Sequence, residues 1–344
     1  MVNKIVIDHM IRTADISETQ MLKEYGEVVC MNMLKDHTTQ QNIYWATDSY
    51  ADSLGDGYTF YDPITLDKIT GKYGLVIRPR ADKEKEEQAL RARDKAEVFT
   101  PAWICNAQNN LIDEVWFGRK EGLFNSPDPN DPHKWINNHE KIVFPDIPGK
   151  TWKDYVADTR LEIACGEAPY LANRYDAVTG LYNEEVKYRI GILDRKLRIV
   201  SENTKDSKEW ILWAKIALRA TYGFEWQGDN LLLAREALFY TFKEHYIEQF
   251  GDAKFNQNRA RMMPGVAYIV SWNIWQMDGL SYGLPGYTPK QPGLFPEELK
   301  PQERFCVVKD FLSYINLHKA TLCSKDFADN ERAIKQTFES LVKK

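Results

Sequence analysis

Hydrophobic positions recur with a helical period in the first part of the chain. The residues that carry this period are Met21, Leu22, Tyr25, Val28, Val29 and Met33. Their spacing predicts amphipathic helix within residues 1–50. Residues 52–74 are rich in Gly, Asp and Thr and predict turns or a hairpin, whereas residues 80–97 mix alternating charges with Ala and Leu and predict an exposed helix. Residues 1–95 are therefore expected to form an extension of helices and loops.

A Thr-Pro step follows this extension and precedes a polar, Asn-rich stretch. Phe99 ends a short apolar run, and Thr100 and Pro101 come next. Thr is a good N-cap and Pro is favoured at the first helical position, so a helix is predicted to start at Pro101. The segment is either a helix start alone or also one wall of a ligand pocket. Residues 125–134, which contain several Pro and Asp, predict a loop.

An apolar strand that runs into a glycine turn is predicted at residues 159–171. The strand, Leu161 to Ala164, contains Glu162 and leads into Cys165 and Gly166. Such a turn lets the backbone approach a ligand closely, with a helix N-terminus behind it. A strand–helix connection without any ligand would show the same pattern.

A second strand, Tyr222 to Trp226, ends near an acidic residue, Glu225. An acidic side chain at this place in a nucleotide-binding fold accepts hydrogen bonds from both ribose hydroxyls, although an ordinary surface glutamate would look the same. Asp229 or Asn230 is predicted to cap the long helix that follows.

The third strand-like segment, residues 267–280, ends in Asp278 and Gly279. Aspartate at a strand end can accept a hydrogen bond from the exocyclic amine of adenine. Asp-Gly is equally an ordinary turn signal. The three segments after residue 150 thus carry most of the candidate chemistry.

The composition limits the classes of protein to consider. The chain has 344 residues, of which 43% are hydrophobic and 28% charged, and no apolar stretch approaches the roughly 18 residues of a membrane span. The N-terminal stretch has too many charges for a signal peptide. Five scattered cysteines without a CxxC pair, together with six histidines in no metal-like cluster, predict free thiols in a reducing cytoplasm and no metal site.

Two segments are locally basic although the net charge is -5. Residues 78–95 mix basic and acidic side chains, which favours a solvated face. Residues 187–198 carry five basic residues against one acid, Asp194, and form a basic stripe. Because the local field and not the net charge governs nucleic-acid binding, such a stripe could contact DNA.

Taken in order, these motifs resemble those of the γ-type amino-methyltransferases of DNA, which use S-adenosylmethionine, and most of all the modification part of restriction–modification enzymes. The matching positions are Phe99, Thr100 and Pro101, then Glu162, Ala164, Cys165 and Gly166, then Glu225, and finally Asp278. The match covers roughly residues 95–280, and its order is that of the γ class. The resemblance implies adenine-N6 methylation of DNA.

The resemblance also implies a cofactor site. The Phe-Thr-Pro segment would close over the methionine end of S-adenosylmethionine, and the glycine motif would lie beneath it. Glu225 would hold the ribose, with Trp226 beside it in the same site, and Asp278 would contact the adenine ring. No metal ligand and no catalytic residue is assigned.

The fold implied is α/β, a Rossmann-like S-adenosylmethionine-dependent methyltransferase fold in a reduced form, with a mostly parallel sheet flanked by helices. It would occupy residues 96–344, with an insertion at about residues 172–218 that carries the basic stripe and contacts DNA. Residues 305–308 predict a strand, followed by a helix, that would complete the reduced sheet.

One element of the family is missing from the sequence. Adenine methylation depends there on an (Asn/Asp/Ser)-Pro-Pro-aromatic tetrapeptide that holds the target amine, and residues 279–344 contain none. Three hypotheses follow: an adenine methyltransferase or a subunit of one, with a second subunit supplying the missing elements; a catalytically silent partner or sensor that binds cofactor or DNA; and a methyltransferase for another substrate. Cys165 is interpreted as a small buried residue and not as a nucleophile.

Overall fold

The computed structural model of the chain describes residues 17–95, 97–120, 122–285, 306–310 and 334–342. Two sequence-based predictions fall outside these residues. They concern the first part of the helical extension, residues 1–16, and the helix expected after the C-terminal strand.

Helices make up most of the described chain. The longer ones are α5 (Lys85–Lys95), α6 (Ala102–Phe117), α8 (Ile192–Asn203), α9 (Ser207–Arg219), α10 (Gly228–Phe250) and α11 (Asp252–Asn273). The shorter ones are α1 (Glu18–Tyr25), α2 (Glu27–Leu34), α3 (Ala51–Leu54), α4 (Leu66–Ile69), α7 (Trp152–Ala157) and a last helix at Phe338–Val342. Among the described helices, none combines the length and the apolar character that a membrane span requires.

Three short strands form a parallel sheet. They are β3 (Arg160–Glu162), β4 (Thr221–Glu225) and β5 (Ile274–Gln276), in the order β3-β4-β5. The chain passes from β3 to β4 through α8 and α9, and from β4 to β5 through α10 and α11. The described residues therefore form a mixed α/β fold, and the carboxyl ends of all three strands meet at one edge of the sheet.

The two faces of the sheet pack against different material. Tyr222 and Phe224 alternate on one face of β4 and join Trp275, Cys306 and Phe338 in a small apolar cluster. On the other face lies the main core, in which α10 is buried on nearly every side. A helix that is apolar around most of its circumference must be covered on all sides, and α2, α8 and α11 contribute to that cover of α10.

The N-terminal region is tied to the carboxyl edge of the sheet. The side-chain amide of Gln276 accepts from the backbone N–H of Tyr44 (2.9 Å) and donates to the Tyr44 carbonyl (2.8 Å). The Gly228 N–H donates to the Trp45 carbonyl at 2.9 Å. A Cβ atom on Gly228 would collide with the Tyr44 carbonyl oxygen, so only glycine permits this close approach.

One predicted loop and the predicted tail differ from the structure. Residues 125–134 are not a loop but contribute to a hairpin of β1 (Asn125–Asp128) and β2 (Asp131–Asn137). The C-terminal strand β6 (Val307–Asp310) does not extend the parallel sheet. It pairs antiparallel with β7 (Ile334–Thr337) in a separate two-stranded sheet.

Both predicted helix caps are wrong. Helix α6 begins at Ala102, so Pro101 lies at its N-cap position and Thr100 lies before it. The Ala102 N–H donates to the carboxylate of Asp176 at 2.8 Å, so a distant side chain takes the capping role. Helix α10 begins at Gly228, and Asp229 and Asn230 lie inside its first turn.

Four of the five basic side chains in the predicted stripe are buried, and Lys187 is half-buried. Arg189, Arg195, Lys196 and Arg198 are each at most 2% exposed. Arg189 pairs with Glu244, and the Lys196 ammonium donates to two backbone carbonyls. The expectation that these side chains contact DNA is therefore wrong, because they are engaged inside the protein and not available at the surface.

We use the name α8 cluster for Asn106, Asp113, Arg195, Arg198 and Glu202. Asn106 and Asp113 hold α8 against α6 through Arg195, whereas Arg198 and Glu202 hold α8 against residues 138–142. Arg195 donates to Asp113 at 2.6 Å and to Asn106 at 2.8 Å. Arg198 donates to Glu202 at 2.8 Å and also to backbone carbonyls. Asp113 further accepts from the hydroxyl of Tyr155. Buried charges are tolerated when paired and hydrogen-bonded in this way.

Candidate functional site

A cavity of about 410 Å³ opens at the carboxyl edge of the parallel sheet. Its wall combines the ends of β3 and β4 with the segment before α6 and the start of α10. The lining residues are Glu97, Val98, Phe99, Thr100, Glu162, Ile163, Ala164, Cys165, Gly166, Pro169, Tyr170, Glu225, Trp226, Gln227 and Asn230. The carboxyl edge of a parallel sheet is where α/β proteins place their ligands, and this volume is in the range of small-molecule sites.

Most of the site residues suggested by the sequence meet in this cavity. Those that line it are Phe99, Thr100, Glu162, Ala164, Cys165, Gly166, Glu225 and Trp226. Pro101 and Asp278 are not part of the lining. Positions separated by more than a hundred residues of sequence therefore share one concave surface.

Glu225 occupies the carboxyl end of the central strand. Its Oε2 accepts from the Gly166 N–H at 2.8 Å, and its Oε1 accepts from the Gln227 N–H at 3.1 Å. Burial raises the pKa of Glu225, while the N–H groups of Gln227, Gly166 and Trp226 oppose that rise by stabilising the charged form. Each carboxylate oxygen keeps a lone pair for a further donor, so Glu225 can accept two hydrogen bonds from a ligand.

The turn after β3 has an unusual backbone. Ala164, Gly166 and Ala168 have φ values of 48°, 54° and 62°, in the left-handed region that L side chains rarely adopt. The Cys165 N–H donates to the Phe224 carbonyl at 2.8 Å and anchors this turn on β4. Strained backbone of this kind clusters at binding sites, where the surrounding structure holds it in place.

Phe99 covers the glycine of that turn. A Cβ atom built on Gly166 would lie 3.0 Å from Cε1 of Phe99, so a larger residue would push the ring away. The Arg80 guanidinium lies over the Phe99 ring, 5.6 Å from its centroid. The segment before α6 thus forms a cover on the turn, as its place in the sequence suggested.

Glu162 is a second carboxyl in the cavity wall. Its Oε1 accepts weakly from the Tyr170 N–H at 3.5 Å, and its buried Oε2 has no hydrogen-bond partner among the described residues. Burial raises the pKa of Glu162 well above its ordinary value, and the nearby charge of Glu225 raises it further. The raised pKa favours the neutral carboxyl over the carboxylate, and only the neutral form can donate a hydrogen bond.

Behind the cavity lies a group of buried charges that we name the cavity cluster. Its members are Lys83, Arg91, Glu97, Asp229 and Asn230. Arg91 donates to Glu97 at 2.7 Å and pairs with Asp229 at 2.7 Å. Burial alone would raise the pKa of Asp229, but Arg91 and Lys83 lower it to about 2. The sequence had placed Lys83 and Arg91 on a solvated helix face, and that expectation is wrong for these two residues.

Two oxygens of the cavity cluster are left without partners. Asn230 is 1% exposed and donates from Nδ2 to Oε2 of Glu97 at 3.2 Å. Oδ1 of Asn230 and Oε1 of Glu97 are buried and accept no hydrogen bond from any described residue. Both residues line the cavity. Sequence reasoning missed Glu97 entirely and took Asn230 only for a helix cap, because nothing local marks either as buried.

Asp278 is not part of the cavity lining and lies in a turn. Its Oδ1 accepts from the Leu280 N–H at 2.9 Å and its Oδ2 accepts from the Ser281 hydroxyl at 2.8 Å. The hydrogen bond from Leu280 is the main reason that the pKa of Asp278 is lowered. These contacts are those of an Asx-type turn, the simpler of the two interpretations of Asp-Gly.

The cysteines that the structure describes are free and buried: Cys30, Cys105, Cys165 and Cys306. Burial raises the pKa of the Cys165 thiol well above its ordinary value, so it stays protonated and is a poor nucleophile. Cys323 lies outside the described residues. No group of His, Cys, Asp and Glu in the described part of the chain could hold a metal ion.

No protein-family model, no curated protein and no solved structure matches this chain at a significant level. The cavity combines a polar floor of carboxyls and amides, an aromatic cover, and a turn with left-handed backbone. A cavity of this composition can bind a small molecule.

Proposed function

We propose that the cavity binds S-adenosylmethionine and that the chain is a DNA adenine-N6 methyltransferase-like protein of the restriction–modification type. The observation that carries the proposal is the position of Glu225. It ends the central parallel strand, faces the cavity and is fixed by the N–H groups of Gly166 and Gln227. A carboxylate held in this way is suited to accept hydrogen bonds from both hydroxyls of a ribose.

The remaining walls agree with an adenosyl ligand. Trp226 follows Glu225 in the lining and offers an aromatic surface for a purine, and such stacking contributes about 1–3 kcal/mol per base. Phe99 and Thr100 line the side next to the glycine turn, where the methionine end of the cofactor would lie.

The Rossmann-like character of the fold is part of this proposal. Its support is the parallel order β3-β4-β5 with helical crossovers between successive strands. DNA as the partner rests on the resemblance of the motifs, because four of the five basic side chains that suggested a DNA contact are buried. A second subunit that supplies the target-recognition elements belongs to the same proposal.

A second function is favoured by the sequence after Asp278. It contains no (Asn/Asp/Ser)-Pro-Pro-aromatic tetrapeptide to hold a target amine with its lone pair directed at the methyl group. The alternative is a silent partner or sensor that binds the cofactor and transfers nothing. Both functions require the same cavity, so binding is tested first.

Calorimetric titration with S-adenosylmethionine tests the cavity, with Glu225→Gln as the variant and Glu248→Gln, an exposed carboxyl on α10, as the matched control. Hydrogen bonds to a charged group contribute about 1.5–3 kcal/mol, so Glu225→Gln should weaken binding about 10- to 100-fold. The control should bind like the wild type. Absence of binding, or equal binding by Glu225→Gln, would overturn the proposal.

Methyl transfer then separates the two functions. The chain is incubated with S-adenosylmethionine labelled in its methyl group and with DNA, alone and with the products of neighbouring reading frames. Label in adenine-N6 supports the enzyme, and transfer only in the presence of a second protein supports a split enzyme. Tight cofactor binding without transfer in any combination supports the silent partner.

A further inference from the structure

Besides Glu162, the cavity wall has a polar corner formed by Glu97 and Asn230 that the protein leaves unsatisfied. Oε1 of Glu97 and Oδ1 of Asn230 are both buried, both belong to residues that line the cavity, and neither accepts a hydrogen bond from a described residue. Glu97 is 6% exposed and Asn230 is 1% exposed, so bulk water does not readily replace the missing donors. A buried acceptor without a donor destabilises the protein, and a ligand with N–H groups would relieve that cost.

The orientation of the Asn230 amide follows from its neighbour. Glu97 is bound to Arg91 and acts as an acceptor, so the group of Asn230 that faces it at 3.2 Å must be the Nδ2 donor. The carbonyl oxygen of the amide is therefore the atom left free. The corner presents two acceptors, one from each side chain.

The charges nearby favour a neutral donor over an ammonium. Glu97 shares Arg91 with Asp229, and Lys83 lies 3.6 Å from Asp229. Two cations thus face two carboxylates, and the corner has no net negative charge to attract a cation. A neutral amine with two N–H groups fits this corner best.

We propose that Asn230 and Glu97 recognise the exocyclic amine of the adenine ring, in place of Asp278. The inference rests on the proposed function and specifies which part of the ligand this corner reads. Gln227 and Glu225 line the wall next to Asn230, so the ribose and the base would occupy adjoining parts of the cavity. Asp278 is outside the lining, and its carboxylate is occupied by Leu280 and Ser281.

The arrangement predicts discrimination between purines. Adenine offers two N–H hydrogens at its 6-position, whereas hypoxanthine and guanine have a carbonyl oxygen there. That oxygen would face the two free acceptor oxygens of Glu97 and Asn230, neither of which can donate to it. A 6-oxopurine ligand with the same ribose and the same amino-acid end should therefore bind more weakly.

The test compares S-adenosylhomocysteine with S-inosylhomocysteine, which differ only in the purine ring, by calorimetry on the full chain. The wild type should prefer the adenosyl compound by about 10- to 100-fold, the range of a good pair of base contacts. Asn230→Ala should reduce this preference to within about threefold, and Glu97→Gln should reduce it in part. Asp278→Ala should keep the wild-type preference.

The outcomes distinguish failure of this inference from failure of the proposed cofactor site. Equal binding of the two compounds by the wild type overturns the inference and leaves the proposed cofactor site intact. Loss of the preference in Asp278→Ala, with its retention in Asn230→Ala, also overturns the inference. If the folded wild type binds neither compound, the proposed function fails and the inference fails with it. Thermal melting of each variant shows whether it is folded. If Asn230→Ala does not fold, the purine preference of Glu97→Gln decides the inference.

Discussion

The α8 cluster and the cavity cluster are both buried groups of charges, and both come from segments that the sequence presents as basic or mixed in charge. They differ in how completely their polar atoms are paired. In the α8 cluster, one nitrogen, Nε of Arg195, lacks a hydrogen-bond partner among the described residues. In the cavity cluster, atoms without a hydrogen-bond partner are found on Lys83, Arg91, Glu97 and Asn230, although Lys83 forms an ion pair with Asp229 at 3.6 Å.

This difference separates structural polar groups from groups that can serve a ligand. In the α8 cluster, Asn106 and Asp113 accept from Arg195 and Glu202 accepts from Arg198, so none of its buried side-chain oxygens lacks a partner. The cavity cluster is incomplete on the side that faces the cavity. Burial alone therefore says little about function, whereas an unsatisfied buried acceptor at a cavity wall says a good deal.

The largest effect is expected from Arg195→Leu in the α8 cluster. The change leaves Asp113 buried without its cation, and breaking a buried ion pair on one side costs about 3–5 kcal/mol of the free energy of unfolding. Urea denaturation measures the loss. Arg93→Leu is the matched control, because the Arg93 side chain is 72% exposed and its removal should change stability by less than about 0.5 kcal/mol. A loss of the same small size in Arg195→Leu would show that the α8 cluster is not structural.

A second prediction concerns Glu167, whose pKa should make the stability of the protein depend on pH. Burial raises its pKa to about 7, against the stabilising effects of Lys83, of the Tyr175 hydroxyl and of the Arg80 N–H, and Glu97 raises it further. On α10, by contrast, Arg174 and Arg189 outweigh burial and lower the pKa of Glu244 to about 2. A raised carboxyl pKa means that the folded state binds more protons, so stability falls as the pH rises from about 4.5 to about 7.

Glu167→Gln removes this proton binding. Between pH 5 and pH 8 the wild type should lose about 1–3 kcal/mol of unfolding free energy that Glu167→Gln does not lose, since one unit of pKa shift corresponds to about 1.4 kcal/mol. Glu244→Gln should show no such change in that interval, because Glu244 is ionised throughout. Denaturation curves of each protein at pH 5 and at pH 8 measure these changes in unfolding free energy. Identical changes in Glu167→Gln and in the wild type would contradict the prediction.

The last comparison concerns two buried asparagines. Asn106 accepts from Arg195 and exchanges hydrogen bonds with Asn125, so Asn106→Ala leaves partners unsatisfied and should cost about 2–3 kcal/mol. Asn230 makes its one side-chain hydrogen bond to Glu97, so Asn230→Ala should cost about 1 kcal/mol in the ligand-free protein. Denaturation of both variants without ligand measures the difference. Equal losses would mean that the cavity corner is as complete as the α8 cluster.

The sequence predicted the parts of the fold that local pattern controls. The strand and turn at Leu161 to Gly166 and the strand before Trp226 lie close to the observed β3 and β4, since an apolar run followed by a turn residue is a local signal. Phe99, Gly166 and Glu225, which the order of the motifs had assigned to one site, line the same cavity.

The features that the sequence did not reveal depend on distant partners. The cap of α6 comes from Asp176, 74 residues away, so Thr100 looked like the better candidate. Arg195 and Arg198 looked exposed because their acceptors on other elements cannot be read from the basic stripe. Asp278 was placed in the site by its dipeptide context, and the turn that engages its carboxylate forms within the next three residues.

The contact between Tyr44 and Gln276 has a consequence for synthesis of the chain. These residues are 232 positions apart, and the amide of Gln276 is needed to complete the backbone hydrogen bonds of Tyr44. At the usual rate of about 5–20 residues per second, the ribosome delivers Gln276 about 10–50 s after Tyr44. During that time the N-terminal helices lack the sheet edge and the helix α10 on which they pack. The nascent chain therefore exposes apolar surface for a long interval, and a chaperone that binds its first 70 or so residues would act before the sheet exists.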